Sequence, residues 1–390
     1  MYVELIFDTI AIMVKTLTSV TFFLALLLLI TLPFSLILNS IGLVLIALWM
    51  IVLWITQPGF RNEFKQKNNE FVWLAIPFIY GISILYSREF KQAIHQWLNL
   101  LPLVILPLFF AIPLPKKMTV LLVQAYVLSI LIVGLLHLTG SFQFLSRTET
   151  VPTYISLLPD AEKYSFIIWS GILLSGFQST GSRFWSWVTP LLFINLCYFG
   201  HLGLIVASCS TYLIIQLLHT PQRSTEIVSK ALIFGSFIFI LSLVYFTAFR
   251  QQVTDVLYNL AAIYTREAWT PGITTFFEEI KINFIQWTKH PFTGVGVGDY
   301  VDAIWNEYHD HGKEAPLHYS SQIMHMLVST GFMALWVAWI SGSYWMKLDR
   351  NRMIYFLLVI SILFFTSPFN SLATSSAFMI AILLSTPRNE

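Results

Sequence analysis

The chain has 390 residues, 56% hydrophobic and 11% charged, with a net charge of +2 and a mean hydropathy of +0.72. Soluble domains carry about 25% charged residues, so the composition excludes a soluble globular enzyme and describes a polytopic membrane protein. The net charge of +2 says nothing about nucleic acid, and no nucleic-acid partner is expected; the two cysteines, Cys197 and Cys209, read as small buried hydrophobes inside apolar runs.

In chain order, residues 1–16 carry Glu4, Asp8 and Lys15 and lack a small-residue cleavage site, so they read as an interfacial helix, not a cleavable signal. A bilayer core takes about 20 apolar residues per helix. Runs of that kind predict helices at about 18–36, 39–56, 71–87, 98–114, 118–138, 164–179, 186–199, 202–218 and 231–249. After a long interruption come 323–345, 353–367 and 371–386. The fold class is therefore all-α, a polytopic bundle of about twelve spans. Its parts are spans over 1–249, a loop over 250–322, and spans over 323–390.

Lysine and arginine concentrate in short cytoplasmic loops. With the N-terminus inside, one side holds Arg61, Lys65 and Lys67, then Lys116 and Lys117, Arg183, Arg223 and Lys230, and finally Lys347, Arg350 and Arg352. Lys15 and Arg388 join them, while the opposing short loops hold Arg88, Lys91, Arg147 and Lys163. The bias predicts two cytoplasmic termini and puts 250–322 on the outer, periplasmic face of a bacterial inner membrane. The spans themselves carry almost no charge, which argues against a transporter.

A loop this long is functional or disordered, and its aromatic content argues for order. Ile273, Phe276, Phe277, Ile280, Phe284 and Trp287 recur at helical spacing and predict an amphipathic helix that lies on the membrane surface or covers the bundle. The run "HPFTGVGVGDY" (290–300) follows, with Gly294, Gly296 and Gly298 at alternate positions. A dinucleotide site needs a preceding strand and G-x-G-x-x-G spacing, and a P-loop needs Gly-Lys-Ser/Thr, so a nucleotide cradle is excluded. A tight turn with close backbone packing suits these glycines. Arg266, in "YTREAWTPG", suits a diphosphate through its bidentate fork, or else pairs with Glu267 or anchors to lipid. His309 and His311 flank Asp310 without zinc-site spacing and read as a solvated turn. His318 leads into a span, where a histidine can act as base or orient a hydroxyl.

Together, "REAWTPGITTFFEEIKINFIQWTKHPFTGVGVGDY" and "HYSSQIMHMLVSTGFMAL" resemble the signature region of the O-antigen ligase and polymerase superfamily. The shared pattern is an arginine, a tryptophan, an amphipathic helix, an "hPlfGvGxGd" element, and a histidine leading a helix that ends in glycine. Here these are Arg266, Trp269, residues 273–287, His290 to Asp299, His318 and Gly331. "LALLLLITLPFS" and "LYSREFKQAIHQWLNLLPLVILPLFF" are similar to Bacteroidetes-type members, so the likeness covers most of the chain.

The resemblance implies a GT-C-like, metal-independent glycosyltransferase without a cofactor. It implies a donor glycan on undecaprenyl diphosphate and an acceptor that is the lipid A core or another glycan. It implies catalysis by Arg266 and His318, and substrate binding by Arg250, Trp269, Gly294, Gly296, Gly298, Asp299 and Ser320. Three positions depart from the family. Ser210 stands where many members carry arginine, and "PDAEKYSF" replaces an "HxRFS"-like run. His318 lies 13 residues before Gly331, whereas Ser320 holds the family's histidine position at 11. A second expectation follows from these: a catalytically degenerate member serving as subunit or scaffold among envelope proteins.

Overall fold

A computed structural model describes residues 2–56, 74–112, 114–138, 161–178, 183–199, 271–312, 321–336 and 371–385, with short stretches between 204 and 258. Among the described residues the secondary structure is helical and contains no strand.

Helix α1 (Tyr2–Thr31) and helix α2 (Leu36–Thr56) form the first hairpin. The turn between them is dictated by Pro33, because a proline disfavours helical backbone in the residue before it. Ser35 restarts the helix, its Oγ accepting from Leu38 N at 3.3 Å. The expected interfacial helix at 1–16 is instead continuous with the first span. No glycine or proline interrupts Tyr2–Thr31, and the span ends five residues early, at the proline.

Helices α3 (Ala75–Ile84), α4 (Phe90–Leu98), α5 (Leu101–Phe110), α6 (Lys116–Leu138), α7 (Ala161–Gln178) and α8 (Arg183–Phe199) follow, and α12 (Leu372–Ser385) returns near the end of the chain. Two of these form the centre: every described side chain is buried over 164–176 in α7 and over 374–384 in α12. A helix apolar all round belongs in a core. α12 packs on α7, α5 and α2; α8 packs on α7 and α6; α1 packs on α6 and α2.

Hydroxyls within this core find local partners. Tyr126 Oη and Ser170 Oγ lie 2.7 Å apart, Thr189 Oγ1 donates to Ser175 Oγ (3.0 Å), and Trp49 Nε1 donates to Thr21 Oγ1 (3.1 Å). On the outside, Ile41, Val44, Leu48, Ile51 and Ile55 form an exposed apolar stripe along α2. That is the surface a bilayer covers and water does not.

Three segments among the described residues are long and apolar enough to cross a membrane: Ile37–Thr56, Phe90–Phe110 and Lys116–Leu136. The second is two helices, α4 and α5, joined at Asn99–Leu100. α4 was expected as part of a loop. Its Phe90, Ile94 and Trp97 alternate with Lys91, Gln92 and His95 at helical spacing, which makes it amphipathic yet too short and polar to register as a span.

The expected span at 323–345 is broken at Gly331. Its far half, the span at 353–367 and much of 202–218 and 231–249 lie outside the described residues. Cys197 is buried as expected, but Cys209 is exposed on the outside of its helix.

Gly134 sets the spacing of α6 and α8. A Cβ there would come within 2.5 Å of the Asn195 amide, itself buried. Gly134→Ala is expected to destabilise by about 1–3 kcal/mol, the range for overpacking a tight interior. Thermal unfolding of purified protein measures this, and adding Asn195→Ala should restore much of the loss by vacating the space.

Candidate functional site

Three helices form a unit against one side of the bundle: α9 (Pro271–Lys289), α10 (Tyr300–Asp310) and α11 (Gln322–Thr330). α11 also packs on α3, which ties the unit to the spans. The amphipathic helix expected over 273–287 is α9. Its burial is the reverse of an ordinary amphipathic helix. Glu279, Ile282, Asn283 and Gln286 face inward and are buried, whereas Phe277 and Phe284 point out, each more than half exposed.

The run 290–300 joins α9 to α10, and its glycines are explained by what their bare Cα atoms touch. Gly294 and Gly296 hold φ of 69° and 99°, in the left-handed region that side chains disfavour. Val295 N donates to Val328 O (2.9 Å) and Gly296 N to Ser329 O (3.0 Å), so the loop takes up carbonyls at the end of α11. Phe332 N donates back to Pro291 O (2.8 Å) across Gly331, itself at φ 61°.

A Cβ on Gly294 would stand 2.4 Å from the Ser329 carbonyl carbon, and one on Gly331 would stand 2.6 Å from that of Phe292. Gly298 presses on α4 in the same way, 2.3 Å from Glu89 O, while its N–H donates to Ser87 Oγ (3.2 Å).

Asp299 completes the node. Its two carboxylate oxygens accept from Arg88 N (2.9 Å) and Glu89 N (2.8 Å), so the aspartate forks onto the N-terminus of α4. A negative group is favoured there by the unpaired N–H groups and the helix dipole. Gly294, Gly296 and Gly298 are buried, and both Asp299 oxygens are engaged. These contacts give the four a positioning role: they clamp the α9–α11 unit to α3 and α4.

Deeper in the unit, a polar relay links four helices. Tyr80 Oη of α3 lies 2.9 Å from His325 Nδ1 of α11 and accepts from Gln322 Nε2 (3.2 Å). The His325 ring meets the Tyr300 ring edge-on at 4.3 Å, and Tyr300 Oη donates to Asn283 Oδ1 (2.8 Å). Nearby, buried Glu307 pairs with Lys289, and His311 Nδ1 sits 2.8 Å from Glu307 O. Burial pushes the Tyr308 phenol well above its ordinary pKa, and the carboxylates of Glu279 and Glu278 add to the rise. Tyr308 is neutral at any physiological pH. His309 stacks on Trp305 at the exposed end of α10, so the "HDHG" run closes a helix where a turn was expected.

The direction of the helices matters for the remaining residues. Trp287 meets Phe332 at 5.4 Å, while Asn283 lies level with Tyr300 and His325. Residue numbers rise together, so α9 and α11 run parallel and begin on the same end, away from the glycine node.

Arg266, Trp269, His318 and Ser320 lie outside the described residues. Arg250 is described and exposed. Ser87, Tyr80, Tyr300 and His325 went unrecognised as site elements in the sequence, because their meaning comes from partners on other helices, for Tyr80 and Ser87 more than 200 residues away.

Beside the node, α3 and α4 enclose an open groove of about 620 Å³. Its lining includes Phe78, Gly81, Leu85, Phe90, Ile94 and Trp97, and it is almost wholly apolar. No family model matches the chain, and no curated protein matches it.

The node makes a graded prediction. Gly298→Ala and Gly296→Val should each lower stability by about 1–3 kcal/mol or more, through overlap and, at Gly296, backbone strain. Gly235→Ala, where a Cβ meets nothing within 4 Å, should not. Asp299→Ala should cost about 1–2 kcal/mol by stripping the α4 N-terminus of its acceptor. Thermal unfolding in detergent ranks the four variants.

Proposed function

We propose that the chain is an integral-membrane glycosyltransferase of the O-antigen ligase kind. It takes a glycan from undecaprenyl diphosphate and passes it to a lipid A core or other glycan acceptor at the periplasmic face of the bacterial inner membrane. The observation that carries this reading is the parallel course of α9 and α11. The two helices begin on the same end of the unit, and in the sequence Arg266 with Trp269 precedes one and His318 with Ser320 precedes the other. The apolar groove between α3 and α4 supports it further, since a lipid-linked donor needs a lodging for its tail.

In this reading an acceptor hydroxyl attacks the anomeric carbon, the carbon–oxygen bond to the diphosphate breaks, and the hydroxyl proton passes to His318. Arg266 holds the departing diphosphate, whose charge grows as the bond breaks. A preorganised cation counts more there than in ground-state binding. Arg250, which is exposed, is the second candidate cation. The node does no chemistry and fixes where α9 and α11 begin.

The second reading, a degenerate subunit or scaffold in an envelope complex, is favoured by Ser210 and by the two-residue offset of His318. Two residues turn a helical side chain by about 200°. With Ser321 as the N-cap of α11, His318 precedes the helix, and the offset does not fix the direction of its side chain.

Transfer of lipid-linked glycan by purified, monodisperse protein separates the two. Arg266→Ala should lose about 100-fold or more in rate, the scale of deleting one preorganised donor. Arg266→Lys should rescue poorly, because a point charge does not copy a bidentate fork. His318→Ala should lose strongly while His311→Ala does little. Normal transfer by Arg266→Ala would remove the enzyme reading, and a gain from Ser320→His would favour the degenerate one.

A further inference from the structure

The outward face of α9 is neither bare apolar surface nor ordinary solvated helix. Phe277, Lys281, Phe284 and Thr288 follow one another at spacings of four, three and four residues and are all exposed. A lysine therefore stands between two phenylalanines on one stripe. Beyond the helix end the aromatic surface continues: Phe284 meets Trp287 (5.4 Å), Trp287 meets Phe332 (5.4 Å), and Phe332 meets Phe292 (5.5 Å). Phe292 and Trp336 are 74% and 70% exposed, so the patch is contiguous and open. The opposite face of α9, with Glu279, Asn283 and Gln286, is the buried one.

We infer that this aromatic face is seated in the lipid–water interface of the bilayer, its rings at headgroup depth and Lys281 reaching the lipid phosphates. Three features select lipid over another occupant. Water is disfavoured because a monomer rarely leaves so contiguous an aromatic patch wet. Lysine flanked by phenylalanine is how an interfacial helix places a cation: the aliphatic stem lies along apolar surface and the charge rises to the headgroups. The core of a protein–protein contact is instead depleted of lysine. Finally, the patch runs onto Phe332–Trp336, a helical stretch that resumes after the break at Gly331 and opens an apolar run of the sequence, the composition a membrane surface takes. The unit's interior is mixed: Glu279, Asn283 and Glu307 are buried beside an apolar cluster of Ile282, Tyr300, Ile304, Tyr308 and Val328.

The inference requires a membrane but no glycan transfer, so it is tested without an activity. In a Cys197→Ala/Cys209→Ala background, single cysteines at Phe284 and Phe292 carry an environment-sensitive bimane in protein reconstituted with phospholipid. Asp302, exposed on α10, serves as the control. Lipids brominated on the acyl chain near the headgroup should remove about half or more of the fluorescence at Phe284 and Phe292, since interfacial helices sit about 5–10 Å into the headgroup boundary. Aqueous iodide should quench only the Asp302 probe. Iodide quenching at Phe284 equal to that at Asp302 would overturn the seat in favour of a solvated lid. Protection from both quenchers would overturn it in favour of a protein partner. All three substitutions are on exposed side chains, and unfolding temperatures matching the parent confirm that each variant is folded.

Discussion

The architecture hangs on backbone meeting backbone where no side chain fits. Gly294 and Gly331 lie against one another's strands of chain, and Gly298 lies against the first turn of α4. Such contacts are short, rigid and intolerant of any added atom. They decide where α9 ends, how α11 is terminated and how the unit meets the bundle. Asp299 adds the one charged element, a carboxylate set on two amides at a helix start. With the node fixed, α9 and α11 have no freedom to slide, and both helices start from the same end of the unit.

Rigid attachment at one end accounts for the polar interior as well. Burying Glu307 and Glu279 is costly unless partners meet them. Lys289, at the last turn of α9, supplies one partner, and the Tyr300–Asn283 bond and the Tyr80–His325 contact satisfy other buried groups. The relay crosses α3, α11, α10 and α9, so the unit is specified by hydrogen bonds as much as by apolar packing.

Much of this was legible in the sequence, and the misses have physical causes. Apolar runs located α2, α6, α7, α8 and α12, because a helix that is buried or faces lipid advertises itself by composition alone. The tight turn at the glycines was legible too, since alternate glycines after a proline have few other uses. Their role was not, because whether a bare Cα faces a ligand or a neighbouring backbone depends on Ser87, Glu89 and Ser329, far away in the chain. α4 was missed since nine residues mixing Phe90, Ile94 and Trp97 with Lys91 and His95 look like a loop when scanned for spans. The break at Gly331 was hidden within an apolar run, where one glycine carries little weight. The orientation of α9 was half legible: periodicity gave the stripe but not which side faces in.

We propose that the α9–α11 unit stands on the outer face of the membrane, where a lipid-linked donor is presented. Accessibility of two positions to an impermeant thiol reagent tests that most directly. In the Cys197→Ala/Cys209→Ala background, Asp302→Cys on α10 and Lys117→Cys at the start of α6 are both exposed on described helices. Labelling of Asp302→Cys in intact spheroplasts, with Lys117→Cys reacting only after permeabilisation, is the predicted result. The reverse pattern would put the unit in the cytoplasm and contradict the account.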